Sequence, residues 1–221
     1  MIKNWWKILA FVLVMYSVIA GFLFDVPRLA ILNESIRNLY FHVPMWFAMV
    51  IMFGISVYHS VKHLSTGDMI HDIKASQSVN VGIVLGILGL VTGAVWAQYT
   101  WGQAWSSDPK QNFAAIAILL YFAYSILRSS MDEEQKRGKI AAIYNIFAFP
   151  MMVVLLFILP RLQDSLHPGN GGNPGFNAYD LDSTMRTVFY PACIGWILTG
   201  IWIFQLFTRL RVQENKQNSI N

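Results

Sequence analysis

The side chains best equipped to hold a ligand cluster in one stretch, Trp96-Ala97-Gln98-Tyr99-Thr100-Trp101-Gly102-Gln103-Ala104-Trp105-Ser106-Ser107-Asp108-Pro109-Lys110. Trp96, Trp101 and Trp105 give it a density of flat aromatic rings that no other connecting segment has. With an acid and a base beside them, such rings can receive a flat, apolar, partly anionic molecule. Tryptophan and tyrosine also gather at membrane interfaces as belts, and Trp96 and Tyr99 fit that use as well. A belt does not require Gly102 between two tryptophans, nor Asp108-Pro109-Lys110 directly after them. Asp108 beside Lys110 also reads as an exposed ion pair, which contributes little to stability.

The 5 histidines divide into two sets. His42 lies in Tyr40-Phe41-His42-Val43-Pro44-Met45-Trp46, where Pro44 suits the first turn of a helix and marks its expected start. His167 lies in Leu166-His167-Pro168. Either one alone is adequately read as a hydrogen-bonded interfacial histidine. Together with an aromatic platform on the same side of a membrane they match the needs of haem. Its iron takes axial nitrogen ligands, its ring stacks on apolar walls, and its propionates attract cations. Arg28, Arg37, Lys110, Arg161 and Arg186 are the cations on that side. His59, His63 and His71 form the other set. His59 and His63 are spaced i, i+4, a weak metal-site pattern with no carboxylate or cysteine at matching spacing, and they read as a solvated helix end. Cys193 is the single cysteine, so neither an internal disulfide nor a CxxC pair is available.

The elements that must position these residues are membrane helices. Hydrophobic residues make up 55% of the 221 and charged residues 13%, about half the charge of an ordinary soluble domain. A span needs roughly 20 mostly apolar residues. Six segments qualify: Ile8–Phe24, Val43–Val61, Val79–Tyr99, Gln111–Leu127, Ile140–Leu159 and Thr187–Thr208. None of them contains Lys, Arg, Asp or Glu. The first follows Lys3 and Lys7 but is long for a signal sequence and lacks a small-residue cleavage site, so it is expected to be a retained helix. With the N-terminus inside, the inner segments carry eleven of the 16 lysines and arginines, which favours both termini in the cytoplasm. The Trp-rich loop then lies outside, in the periplasm of a bacterium. The basic residues are spread over loops and not gathered on one face, which excludes a nucleic-acid partner and leaves the bilayer as the surroundings.

Three outer segments result. Asp25–Phe41 carries Leu29, Leu32, Ile36 and Leu39 at helical spacing and is expected to hold a short amphipathic helix or a connector on the headgroups. The second is the Trp loop. The third, Arg161–Arg186, contains Pro168, Gly169, Gly171, Gly172, Pro174 and Gly175 and cannot be helical throughout. It reads as a lid or a slack linker. The whole chain, 1–221, reads as one membrane domain without internal repeats.

Trp101-Gly102-x-x-Trp105-x-x-Asp108 resembles the tryptophan-rich WWD signature, W-G-x-x-W-x-W-D, of the haem-handling proteins of cytochrome c biogenesis. Trp96-Ala97 fits the same pattern. His42-Val43-Pro44-Met45-Trp46 is similar to the family's H-V-P-x-x-W, with Trp46 one residue early, and His167 corresponds to the second of its paired histidines. Six spans and this length resemble the cytochrome c maturation protein C type, whereas CcsA-type and CcmF-type relatives have more spans. Ser107 stands where the family has its third loop tryptophan, and Asp108-Pro109-Lys110 resembles the W-D-P-K form of the CcsA-type branch.

The resemblance implies an all-α integral protein of the bacterial cytoplasmic membrane with a haem platform on its outer face. Haem (haem b) would rest on Trp96, Trp101, Gly102, Trp105 and Asp108, with His42 and His167 as axial ligands. It would then pass to a membrane-anchored periplasmic haem chaperone (CcmE-like), in association with an ABC-type export complex. Such a subunit makes no bond in a substrate and is not a conventional enzyme. A CcsA-type haem delivery or ligation subunit is the near alternative. An electron-transfer cytochrome would need histidines deep in several helices, and the last four expected spans have none. A plain permease or structural transporter subunit would bind no chromophore, and a substrate path would usually show an intramembrane charge, which the six segments lack.

Overall fold

The computed structural model describes residues 4–28, 32–167 and 181–218. The described chain is all-helical: α1 (Trp5–Leu23), a 3₁₀ segment (Asn33–Asn38), α2 (Leu39–Thr66), α3 (Met69–Trp101), α4 (Pro109–Ser129), α5 (Glu134–Val153) and α6 (Ser183–Asn218). A π turn (Val154–Ile158) and a 3₁₀ turn (Leu159–Leu162) prolong α5. Six helices are long and apolar enough to cross a membrane, and the protein is an integral membrane protein. Phe11, Phe22, Val95, Leu119, Ile126 and Phe147 project outward from the bundle, which is tolerable only where the surroundings are also apolar.

The expected spans each fall on a helix, yet several helices run further. α3 begins at Met69, ten residues before the apolar stretch, because Asp68 caps it by accepting the Ile70 N–H at 2.9 Å. This brings Asp72 into the bundle, where it is buried and paired side by side with Arg128 of α4 at 2.5 and 2.6 Å. Asp72 and Arg128 both lie beyond the expected spans Val79–Tyr99 and Gln111–Leu127, so those spans stay free of charge while the helix extensions carry a neutralised pair. Pro44 does not start α2. The 3₁₀ segment runs directly into Leu39, and Pro44 sits inside the helix. The expected amphipathic element in Asp25–Phe41 is that 3₁₀ segment, with Ile36 buried. Leu29 and the Pro168–Gly175 stretch lie outside the described residues.

α2 occupies the centre, packing on α3, α5 and α6, while α1 packs chiefly on α6. Its contact with α3 is a seam of bare glycines. A Cβ at Gly82 would stand 2.5 Å from the Phe53 ring, at Gly86 2.9 Å from Met49 Sδ, at Gly89 2.8 Å from the Trp46 indole and at Gly93 2.7 Å from the His42 ring. The glycines step by four, three and four residues, and so do the side chains they admit, so each large residue of α2 enters a notch on one face of α3. Polar cross-links fix the register. Ser78 Oγ donates to the Met52 carbonyl at 2.6 Å, and Asn145 Nδ2 donates to Ser56 and Ser60 hydroxyls at 2.7 and 2.9 Å. Outside the seam, Arg37 donates to the Gly21 and Phe24 carbonyls at 2.9 and 2.5 Å, closing the end of α1.

Phe53 cannot retreat from the seam, because it is stacked face to face on Tyr121 with centroids 3.4 Å apart. Gly82→Ala is therefore expected to lower the melting temperature in detergent by about 2–10 °C, corresponding to roughly 1–3 kcal/mol of overpacking. Gly54→Ala, whose Cβ would meet only Phe149 at 3.8 Å, serves as control and is expected to melt like the parent in a fluorescence-monitored thermal scan.

Candidate functional site

One end of the bundle gathers the start of α2, the end of α3, the start of α4 and the segment after α5. His42, Trp46, Trp96, Trp101, Asp108 and His167 all lie there. A separate apolar cluster of Ala20, Ile36, Leu39, Tyr40, Leu181, Met185, Val188 and Phe189 packs against Trp96 and braces α1, α2 and α6 at this end.

His42 stands in the first turn of α2 and fits against Gly93. Trp46 and Trp96 meet its ring edge-on, with centroids 6.1 and 6.0 Å away. Trp96 is held in turn by its indole N–H, which donates to Ser35 Oγ at 3.1 Å. His42 Nδ1 lies 3.2 Å from Thr92 Oγ1. The Thr92 hydroxyl donates to the Leu88 carbonyl at 2.8 Å, with the Gly89 carbonyl at 3.1 Å. Its one proton is thus committed, and towards His42 it accepts. The imidazole carries its proton on Nδ1 and presents the Nε2 lone pair.

His167 is placed differently. Its Nδ1 lies 3.0 Å from Asp108 Oδ1, and the Trp101 ring meets it edge-on at 4.7 Å. Asp108 is the N-cap of α4, with Oδ1 accepting the Lys110 N–H at 2.9 Å. Its other oxygen accepts the Leu166 N–H at 2.7 Å and the Ser165 hydroxyl at 2.9 Å. Ser165 Oγ accepts the His167 N–H at 3.1 Å. One buried carboxylate thus ties the start of α4 to the segment after α5. The exposed Asp108–Lys110 ion pair expected from the sequence is not formed in that way: the Asp108 side chain is 1% exposed and takes the Lys110 backbone. Burial alone would raise its carboxyl, but the His167 ring, then the Leu166 N–H and the Ser165 hydroxyl, outweigh burial and hold it well below the usual carboxylate range.

The tryptophans do not form one continuous loop platform. Trp96 and Trp101 both ride on α3, five residues and about 7.5 Å apart along its axis, one beside each histidine. Gly102 ends α3 in the left-handed conformation, φ 78°, where its N–H donates to the Gln98 carbonyl at 3.1 Å. Trp105 is 47% exposed and its N–H donates to Asn112 at 3.2 Å. Tyr99 points outward at 81% exposure, as a belt residue would. Ser107 is exposed. Of the cations expected near the site, Arg37 is engaged with α1 and with Glu34, Arg186 donates to the Leu181 carbonyl at 2.8 Å, and Arg28 and Arg161 are exposed.

The two histidines come from different parts of the chain, α2 and the segment after α5. Each has Nδ1 within hydrogen-bond reach of a side-chain oxygen, Thr92 Oγ1 for His42 and Asp108 Oδ1 for His167, and the His42 ring also meets the Gly89 backbone. Two imidazoles with Nδ1 engaged and an indole beside each ring form a donor set that fits haem iron. Sequence reasoning missed Thr92, Gly93 and Ser165. The glycine spacing 82, 86, 89, 93 was the available signal for Gly93. No spacing rule reaches Ser165.

At the opposite end His59 pairs with His71 and not with His63: their Nδ1 atoms are 2.9 Å apart. His63 is 1% exposed, and its Nδ1–H donates to the Asp68 carbonyl at 3.0 Å, which corrects the solvated helix end expected there. The described residues contain no group of three metal-ligating side chains. A cavity of about 510 Å³ at this end is lined by Arg128, Arg137, Arg211 and polar side chains of α3 and α4. It lacks a histidine and a tryptophan, and Tyr124 and Phe207 are the aromatic residues in its wall.

The Asp108 knot has a definite pH signature. Its folded carboxyl value lies below the unfolded value of about 3.9, so its stabilisation is fully present above about pH 4 and is lost as pH falls through the folded value. At neutral pH, haem-free Asp108→Asn is expected to be less stable by on the order of 1–3 kcal/mol. Paired thermal melts across pH are expected to show this gap narrowing below about pH 4, and a gap independent of pH would refute the assignment.

The model of the family described as heme exporter protein C matches residues 1–220. The chain is 36% identical over 93 residues to the cytochrome c biogenesis protein CcsA of Parasynechococcus marenigrum (strain WH8102), covering 42% of this chain and 30% of that protein. It is 42% identical over 76 residues to the protein of the same name from Prochlorococcus marinus subsp. pastoris, covering 34% of this chain and 24% of that one. The matched stretches thus span less than a third of these relatives. With almost the entire length matched by one family model, the chain belongs to the heme exporter protein C family.

Proposed function

We propose that this protein holds haem at the outer face of the bacterial cytoplasmic membrane and hands it to a membrane-anchored periplasmic haem chaperone during cytochrome c biogenesis. The observation that carries the reading is the paired set of imidazoles at one end of the bundle, each fixed through Nδ1 and each beside a tryptophan of α3. His42 and His167 bind the iron through Nε2. Trp96 and Trp101 flank the porphyrin, Trp105 extends the apolar rim, and Gly102 turns the chain so that the rim can form. Arg28 and Arg161 are the exposed cations nearest in kind to what propionates require.

When bound, haem supplies a coordinating metal and a flat apolar ring, and no chemistry on a substrate is asked of the protein. The side chains bind, orient and release. Names of the relatives place them in cytochrome c biogenesis, and family membership supports the same role here. An ABC-type export complex is the expected assembly. The identity with CcsA proteins and Asp108-Pro109-Lys110 favour a second reading, a CcsA-type haem delivery or ligation subunit.

Purified protein titrated with haem is expected to develop a Soret band typical of two nitrogen ligands. His42→Ala and His167→Ala are each expected to lose or shift that band, and exogenous imidazole to restore it. Spectra unchanged in both variants would remove the axial assignment. A periplasm-dependent reporter fused after Asp108 is expected to be active. Activity of a cytoplasm-dependent reporter there would invert the topology.

A further inference from the structure

We propose that the two histidines are unequal by construction: His167, backed by the Asp108 carboxylate, anchors the haem, and His42, backed by the Thr92 hydroxyl, is the ligand that yields on transfer. This inference rests on the haem-handling reading above.

The inequality follows from what each Nδ1–H meets. Thr92 is a neutral acceptor at 3.2 Å whose own proton is committed to helix carbonyls, and the Gly89 backbone that the His42 ring also meets is neutral too. Asp108 is an ionised acceptor at 3.0 Å. A hydrogen bond to an ionised partner is roughly twice as strong as a neutral one. It also draws the Nδ1 proton away from the ring and so makes Nε2 a stronger electron donor to a metal. His167 is the better ligand of the two for a reason written outside its own side chain.

Asp108 cannot be diverted from this task. Its carboxylate is buried and already accepts from Lys110 N–H, Leu166 N–H, Ser165 Oγ and His167 Nδ1. Those donors saturate it from α4 and from the segment that carries His167. Facing propionates, a carboxylate would repel them. Asp108 is therefore a positioning residue that acts through His167, not a contact on the porphyrin as its place in the tryptophan-rich motif suggests.

His42 is held by shape. Gly93 gives it a notch, Trp46 and Trp96 stand at its edges, and α2 and α3 form a rigid frame around it. On release, His42 would give up the iron with its Nδ1 proton still on the ring and directed at Thr92, and a ligand from the acceptor protein would supply the replacement electron pair. The electron and proton count of the protein is unchanged. His167 stays bound through the exchange, so the cargo is never without an anchor.

The test begins on haem-free protein with ¹⁵N-labelled histidine, His42 and His167 being assigned by their alanine variants. Both rings are expected as Nδ1–H tautomers. Asp108→Asn is expected to move only the His167 signals and Thr92→Val only those of His42, within otherwise unchanged spectra that also establish folding. The haem-loaded proteins are then compared by resonance Raman after photolysis of bound carbon monoxide, which leaves the stronger axial imidazole on ferrous iron. Asp108→Asn is expected to lower the iron–imidazole stretch and to weaken haem retention by about 10–100-fold. Thr92→Val is expected to leave the stretch in place. A stretch that responds to Thr92→Val and not to Asp108→Asn, or an Nε2–H tautomer at His167, overturns the inequality while leaving haem binding intact. A parent protein with no haem spectrum overturns both this inference and the reading beneath it.

Discussion

The structure depends on how closely α2 and α3 approach. In an apolar solvent no hydrophobic force drives helices together, so association rests on packing and a few polar bonds. Gly82, Gly86, Gly89 and Gly93 remove the side chains that would keep the axes apart, and Phe53, Met49, Trp46 and His42 fill the notches. The same seam that builds the core at Phe53 and Tyr121 builds the site at His42. The two differ only in depth along one helix pair. A change at Gly82 therefore acts on stability, whereas one at Gly93 acts on the orientation of a candidate ligand.

The second histidine has no such seam. It follows α5 and belongs to an irregular segment, which helix packing alone would not position. Asp108 supplies the missing constraint, as a helix cap towards α4 and as an acceptor towards Ser165, Leu166 and His167. A buried carboxylate is tolerable only when its lone pairs are satisfied, and here satisfying them is what fixes the segment. Charge burial and site assembly are thus one requirement. The two imidazoles reach a common end of the bundle by opposite means, one by close packing and one by a polar knot.

The helices were legible in the sequence because hydropathy over some 20 residues is decided by the bilayer itself. Their ends were less so. α3 starts at Met69 since Asp68 caps it, and Asp72 is hidden by a partner 56 residues away, which no local average registers. His42, Trp96 and Trp101 were visible as residue types at membrane edges. Asp108 was visible too, but as a surface charge, because its partners at 165, 166 and 167 lie in another segment. His63 was misread for the same reason: its burial against Gly138 of α5 is a tertiary fact.

The motif around Trp101 and Asp108 can now be read as geometry. Trp101 must be on the last turn of α3 to reach His167, so the helix must stop directly after it, and Gly102 stops it. The chain must then turn and begin α4 with an acceptor at the cap, which is Asp108, followed by Pro109 at the first helical position. Ser106 helps hold that turn, since its N–H and hydroxyl both donate to Gln111 Oε1 at 2.9 Å. Within this arrangement the position of Ser107 is exposed, so a tryptophan there would add to the outer rim and leave the Trp101–His167–Asp108 contact unaltered. The spacing of the motif is that of a helix end, a turn and a helix start, and its acid belongs to the histidine.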